Sequence, residues 1–214
     1  MLESNKYYHI YNRANGSDNL FVNEGNYHFF LEKVKLYLSS VLDLYCYCLM
    51  PNHFHFLVKI KSEKEIVETI KLKKGDKYLQ GFENLKHGET YLKFQTLDKF
   101  MSYFISKQLS NLFSSYCQAF NKQQNRTGSL FQKGFKRKEV TSKLYLKELV
   151  LYIHCNAVHH KFVNHFEDWK YSSFHNLKTE GNSEIIKWFD DLDNFIACHL
   201  DKNEFNNIEN SIIE

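Results

Sequence analysis

Two histidines, a tyrosine and an asparagine are the residues of this chain whose types and spacing point to chemistry. His53-Phe54-His55 lies in HFHFLVKI, a run with the alternating aromatic and branched composition of a β-strand. Strand geometry sends His53, His55 and Leu57 to one face and Phe54, Phe56, Val58 and Ile60 to the other. At a rise of about 3.3 Å per residue the two histidine Cα atoms stand about 7 Å apart. Two imidazoles at that spacing can grip one divalent ion while Phe54 anchors the strand. The same pair also suits ordinary packed histidines, so the motif alone leaves both readings open. Further along, Tyr152 and Asn156 stand at i and i+4 in LYIHCNA, on one face of a predicted helix. The carboxamide oxygen of Asn156 is a candidate third metal ligand. It would complete a mixed nitrogen and oxygen set with positions left open for water and phosphate oxygens.

Several other chemistries lack their residues. Leu57 takes the third place of a His-φ-His-φ-His run, so the nucleophilic histidine of the histidine-triad nucleotide hydrolases is missing. Neither histidine begins an HExxH helix, and no GxxxxGK[ST] phosphate loop occurs. His154, His159, His160 and His165 cluster around the helix of Tyr152. At 100° per residue His154 points about 200° away from Tyr152, and these histidines are assigned to surface or DNA-facing roles. Glu148, one turn before Tyr152, shares its face. It is a candidate accessory residue that orients the phenol or meets a metal-bound water.

The elements that must position these residues follow from local pattern. Residues 6 to 13, KYYHIYNR, read as a first strand that ends in the turn cluster ANGSDN. A helix is predicted over 26–39, a strand over 42–50, a turn at Pro51-Asn52, and an antiparallel return through the histidine strand. The longest helical pattern covers 97–124, a strand follows near 135–140, and Thr141-Ser142 caps a helix over 143–157. Residues 62 to 95 read as a peripheral insertion, and 179 to 214 as an acidic, helical tail.

With 214 residues, 43% hydrophobic and 25% charged, the chain can bury one core, with room for a small second domain. The start MLESNKYYHIYNR has no secretory pattern, and no stretch is long and apolar enough for a bilayer, so a cytoplasmic protein without membrane contact is expected. The five cysteines are odd in number and scattered, which argues against a disulfide framework; Cys46 and Cys48 fit buried positions on one strand face. The net charge of +3 hides an asymmetry: nine acids and two lysines from Thr179 onward give −7, leaving +10 on the first 178 residues. Between Asp98 and Glu139 there is no acid but eight basic residues, the sign of a phosphate-tracking surface. Arg126, Lys133, Lys136, Arg137 and Lys138 are the candidate phosphate contacts, joined by Asn12 and Arg13, for which a turn role at the strand end competes.

Taken in order, YHIYNR, CLMPNHFHFLV, TGSLFQKGFKRK, YLKELVLYIHCNAVHHKFV and WKYSSF resemble the single-tyrosine HUH transposases, and among them the REP-associated tyrosine transposases. The resemblance runs over most of residues 6 to 178. It implies an α+β fold, a ferredoxin-like antiparallel sheet with helices packed on it. It also implies that His53, His55 and Asn156 hold a divalent ion, Mg²⁺ or Mn²⁺, and that Tyr152 is the nucleophile; apart from the resemblance, Tyr145 is the substitute candidate should Tyr152 be inert. The implied activity is cleavage and rejoining of single-stranded or hairpin DNA through a 5′-phosphotyrosine, by a monomer or a homodimer. Two alternatives stand beside it: a silent hairpin-DNA-binding relative on the same scaffold, and a metal phosphodiesterase without a covalent step. The chain departs from the family in having Ala157 where Asn-Pro is common after the catalytic helix. That removes a rigid stop but no ligand.

Overall fold

Alternation in the strands and helical spacing between them yield the order β1 (Tyr7–Arg13), α1 (Glu24–Leu38), β2 (Leu42–Met50), β3 (His53–Ile60), α2 (Glu63–Lys74), α3 (Leu97–Gln123), β4 (Lys136–Val140) and α4 (Lys143–His159). Three short helices follow: α5 (Phe174–Glu180), α6 (Glu184–Trp188) and α7 (Leu192–Leu200). The computed structural model describes residues 1–74, 97–180 and 183–201. The strands form one four-stranded sheet in the order β2-β3-β1-β4, with β1 and β4 antiparallel. This is the ferredoxin-like arrangement implied by the sequence resemblance: an antiparallel sheet with helices packed on it. Of the segment 62 to 95, residues 63–74 form α2, and 75–95 lie outside the described residues.

The chain forms two compact units. The first comprises Met1–Lys6, His28–Asp43 and Lys59–Gly128. Phe30, Val34, Ile66, Ile105, Leu109 and Leu112 are buried there, and the Phe30 ring meets Tyr116 edge-on at 4.9 Å. Ser62 opens α2 with a capping box. Its hydroxyl accepts from the Glu65 amide at 3.3 Å while the Glu65 carboxylate accepts from the Ser62 amide at 2.9 Å.

The second unit comprises Tyr7–Tyr27, Leu44–Val58 and the residues from Ser129 onward. Its core joins Cys46, Cys48 and Met50 of β2 to Leu149, Val150, Ile153 and Ala157 of α4 and to Phe174 and Phe195. Both strand cysteines are buried free thiols, as their spacing predicts. Ser142 caps α4 as expected, its hydroxyl accepting from the Tyr145 amide at 3.1 Å. The WKYSSF block covers the outer edge of β2. The Leu49 amide donates to the Tyr171 carbonyl at 2.9 Å, the Ser173 amide to Tyr47, and the Trp169 indole to the Leu49 carbonyl. An edge that would otherwise present unpaired amides is thereby closed.

Within the acidic C-terminal segment, Ile185, Ile186, Phe189 and Phe195 are buried in the same core, and residues 202–214 lie outside the described residues. This packing corrects the expectation for His154, which is 0% exposed rather than on the surface. Its Nδ1 lies 2.8 Å from His199 Nε2 and its Nε2 2.8 Å from the Ser173 hydroxyl, while His199 Nδ1 donates to the Phe195 carbonyl at 2.6 Å. The side of α4 that faces away from Tyr152 is covered by α7 and by the segment that edges β2.

Candidate active site

One face of the sheet in the second unit gathers the candidate residues. On β1 the alternation places His9 and Tyr11 on that face, and the register pairs them with Lys138 and Lys136 of β4. On β3 it places His53 and His55. Helix α4 supplies Tyr152, Asn156 and, at its C-cap, His160. The spacing of these three by four residues aligns them along one helical stripe.

The stripe meets the strand histidines. His53 Nε2 lies 2.9 Å from Asn156 Oδ1, and His53 Nδ1 lies 2.7 Å from Asn52 Oδ1. The Tyr152 ring stands edge-on to His55 at 5.4 Å and to His9 at 6.2 Å. Tyr152 is half-buried, packed against the core without being enclosed by it. His55 Nδ1 is held 2.8 Å from His9 Nε2, and the His160 ring lies 4.8 Å from His53. Two imidazoles from a strand and the phenol and carboxamide of a helix distant in sequence therefore converge.

Burial decides the charge state of this cluster. Desolvation pushes the pKa of His53 down to about 4, against a smaller upward pull from the Asn156 hydrogen bond. It pushes His9 down to about 3, helped by the positive charge of Lys138, and His55 well below the usual imidazole range, helped by His9 and His53. All three are neutral near pH 7 and offer lone pairs.

The hydrogen bonds of the donor set bear on whether it suits a divalent ion. With the Nδ1 proton of His53 given to Asn52, His53 Nε2 carries a lone pair, and it faces an amide oxygen with no proton between them. Neighbouring ligands of one ion with bonds of about 2.1 Å stand about 3 Å apart, against 2.9 Å here. Asn156 is 0% exposed, and its Nδ2 has no hydrogen-bond partner among the described residues. Rotating the amide by 180° would let Nδ2 donate to His53 but would take the oxygen out of that contact. With His53 in its Nδ1–H form and the amide as placed, the Nε2 lone pair and the Asn156 oxygen form a ligand pair that fits the ion. Among the described residues no group of three or more His, Cys, Asp or Glu side chains forms a metal cluster. The candidate site depends on an amide as its third ligand.

A cavity of about 450 Å³ opens beside His53 and His55, lined also by Arg13, Asn52, Gln132, Lys136 and His160. Asn12 lines it too, but its side chain is tied down, donating to the Gln132 carbonyl at 3.3 Å and accepting from the Arg13 amide at 2.8 Å. Lys138 shares the face of His9, with its ammonium 5.5 Å from the centre of the Tyr145 ring.

The remaining predicted contacts are not gathered there. Arg137 pairs with Ile10 in the register and so projects to the opposite face, because strand side chains alternate with a period of two. Lys133 is exposed in the turn before β4, and Arg126 belongs to the first unit, where its guanidinium donates to Asn121 at 2.7 Å. Glu148 is half-buried one turn before Tyr152, and its charge acts on the phenol of Tyr145. The Tyr145 hydroxyl is buried with no hydrogen-bond partner among the described residues, and desolvation raises its pKa.

Sequence pattern alone did not single out His9. His9-x-Tyr11 repeats on β1 the alternation of His53-x-His55 on β3, which is the signal that places all four on one sheet face. His160, expected at the surface or facing DNA, is exposed at the C-cap of α4, four residues beyond Asn156, and its ring lies beside that of His53.

The ferredoxin-like arrangement of sheet and helices is a fold already seen in solved structures. One of them is a REP-associated tyrosine transposase bound to a REP hairpin, which superimposes with a TM-score of 0.53 over 82% of this chain and 81% of that one, at 12% identity. A match at that identity establishes the shared fold. No family model matches the sequence, and no curated protein matches it. Among the described residues no helix is long and apolar enough to cross a membrane.

Proposed function

We propose that the chain is a single-tyrosine HUH transposase-like DNA strand transferase that cleaves and rejoins single-stranded or hairpin DNA. The observation that carries this reading is the convergence of His53, His55 and Asn156 beside Tyr152, with His53 Nε2 and Asn156 Oδ1 2.9 Å apart. The shared fold supports it, since the related structure is described with a DNA hairpin.

His53, His55 and Asn156 would hold Mg²⁺ or Mn²⁺, with two imidazoles tilting the preference toward Mn²⁺. The bound ion supplies polarisation of the scissile phosphate and relieves the negative charge that builds in the transition state. The chain's own residues do the rest. Arg13 and Lys136 on the cavity wall hold the strand's phosphates, and Tyr152 meets the phosphorus in line with the departing 3′ oxygen. A bond forms between the phenolic oxygen and phosphorus as the bond from phosphorus to the 3′ oxygen breaks. The phenol proton is lost to solvent, and the 3′ oxygen takes one up. The products are a 5′-phosphotyrosine and a free 3′-OH. Attack by that hydroxyl, or by another, reverses the step and releases Tyr152, so rejoining needs no external energy source.

Unpaired bases suit the site because the aromatic side chains that line it stack only on exposed bases. Incubation with labelled single-stranded and hairpin oligonucleotides plus Mn²⁺ separates the readings on a denaturing gel. A protein-linked DNA band supports the transferase. Binding without cleavage would point to a silent hairpin-binding protein, and cleaved DNA with no linked band to a phosphodiesterase.

A further inference from the structure

The histidine that the metal reading does not use is His9. It is 2% exposed, and its ring stacks on His55 at 5.1 Å with an interplanar angle of 24°. Tyr11 stacks on both rings, at 4.6 Å from His9 and 5.5 Å from His55. The three rings are held by adjacent strands of one sheet, so their mutual position is fixed by backbone pairing rather than by loops.

The contact between His9 Nε2 and His55 Nδ1, at 2.8 Å, needs one proton between two nitrogens. If His55 supplies it, His55 is the Nδ1–H tautomer and its Nε2 lone pair is free to bind an ion. If His9 supplies it, a neutral His55 carries its proton on Nε2 and cannot ligate through that atom. We propose that His9 is a positioning residue that accepts the Nδ1 proton of His55 and so locks the ring in its metal-binding tautomer. The inference rests on the metal-site reading above. Ligating histidines as a rule donate their second nitrogen to a carboxylate, a carbonyl or water. Here a buried imidazole takes that place, with no carboxylate hydrogen-bonded to either ring among the described residues. Asn52 does the corresponding work for His53, at 2.7 Å from its Nδ1. Nδ1 of each strand histidine is thereby engaged by a neighbour, and His53 Nε2 meets Asn156 of the helix.

The test has two arms. In metal-free protein labelled with ¹⁵N at histidine, ring-nitrogen NMR should report His55 as the Nδ1–H tautomer. Mn²⁺ binding is then measured for wild type, His9→Phe, which keeps a stacking ring but loses the acceptor, and His9→Gln, whose amide oxygen can accept the same proton. Removing such a partner typically weakens metal binding by about 10- to 100-fold. That loss is expected for His9→Phe, with substantial recovery in His9→Gln. A His55 protonated on Nε2 in the wild type, or a His9→Phe protein that binds Mn²⁺ as tightly as wild type, would overturn the proposal alone. Absence of Mn²⁺ binding in the wild type would overturn the metal-site reading and this inference together. Should His9→Phe fail to fold, the wild-type tautomer still decides.

Discussion

Replacing His199 by glutamine removes one buried titrating imidazole on the side of α4 that faces away from Tyr152. His199 is 7% exposed among Phe166, Phe174, Phe189 and Phe195. Burial pushes its pKa down to about 4, against the opposing hydrogen bond to the Phe195 carbonyl. In the unfolded chain the same group titrates near 6.5. As pH falls the unfolded state therefore takes up the proton first. The stability that His199 allows is complete above about pH 6.5 and is lost progressively as pH drops toward the folded value. Between about pH 7.5 and about pH 5 this amounts to about 2 kcal/mol, and by about pH 4 to about 3 kcal/mol. Glutamine keeps an amide donor and acceptor but does not titrate. In urea unfolding at the two pH values, wild type should lose about 2 kcal/mol more than His199→Gln, with unchanged m-values. Parallel losses in the two proteins would refute the claim that this imidazole is buried neutral. His9 and His53, pushed down to about 3 and about 4, steepen the profile in both proteins alike.

Tyr152→Phe should bind hairpin DNA with wild-type affinity, read by fluorescence anisotropy, yet give no covalent band; a persisting band would move the nucleophile elsewhere. Lys136→Ala with Lys138→Ala removes two positive charges from the site face. The slope of log K against log salt should fall by about 1.4 to 1.8, and an unchanged slope would remove these lysines from the DNA path. Ser142→Ala deletes the cap of the helix that carries Tyr152 and Asn156 and should cost about 1 kcal/mol in chemical denaturation; a cost near zero would show that packing alone fixes that end.

The sheet was legible because its strands announce themselves. β2 and β3 match the alternation in LDLYCYCLM and HFHFLVKI, and the turn at Pro51-Asn52 left one way to join them. The meeting of His53, His55, Tyr152 and Asn156 was legible because strand and helix periods each place two side chains on one face. What stayed hidden depends on which surfaces meet. His154 looked like a surface residue because the acids around Phe189 and Phe195 disguise two core aromatics, and nothing local says that α7 folds back over α4. Arg137 shared a basic run with Lys136 and Lys138, yet in a strand every second charge of such a run points the other way. His9 was passed over because a histidine between Tyr8 and Ile10 reads as packing until its neighbour on β3 is known.

In the proposed reaction Tyr152 forms the covalent bond. Mass spectrometry of the digested protein-DNA adduct, formed with Mn²⁺ and a hairpin oligonucleotide, locates that bond. A nucleotide attached through phosphate to the Tyr152 side chain, in the peptide that also contains Asn156, is expected. Attachment at Tyr145, or cleaved DNA with free ends and no modified peptide, would contradict it.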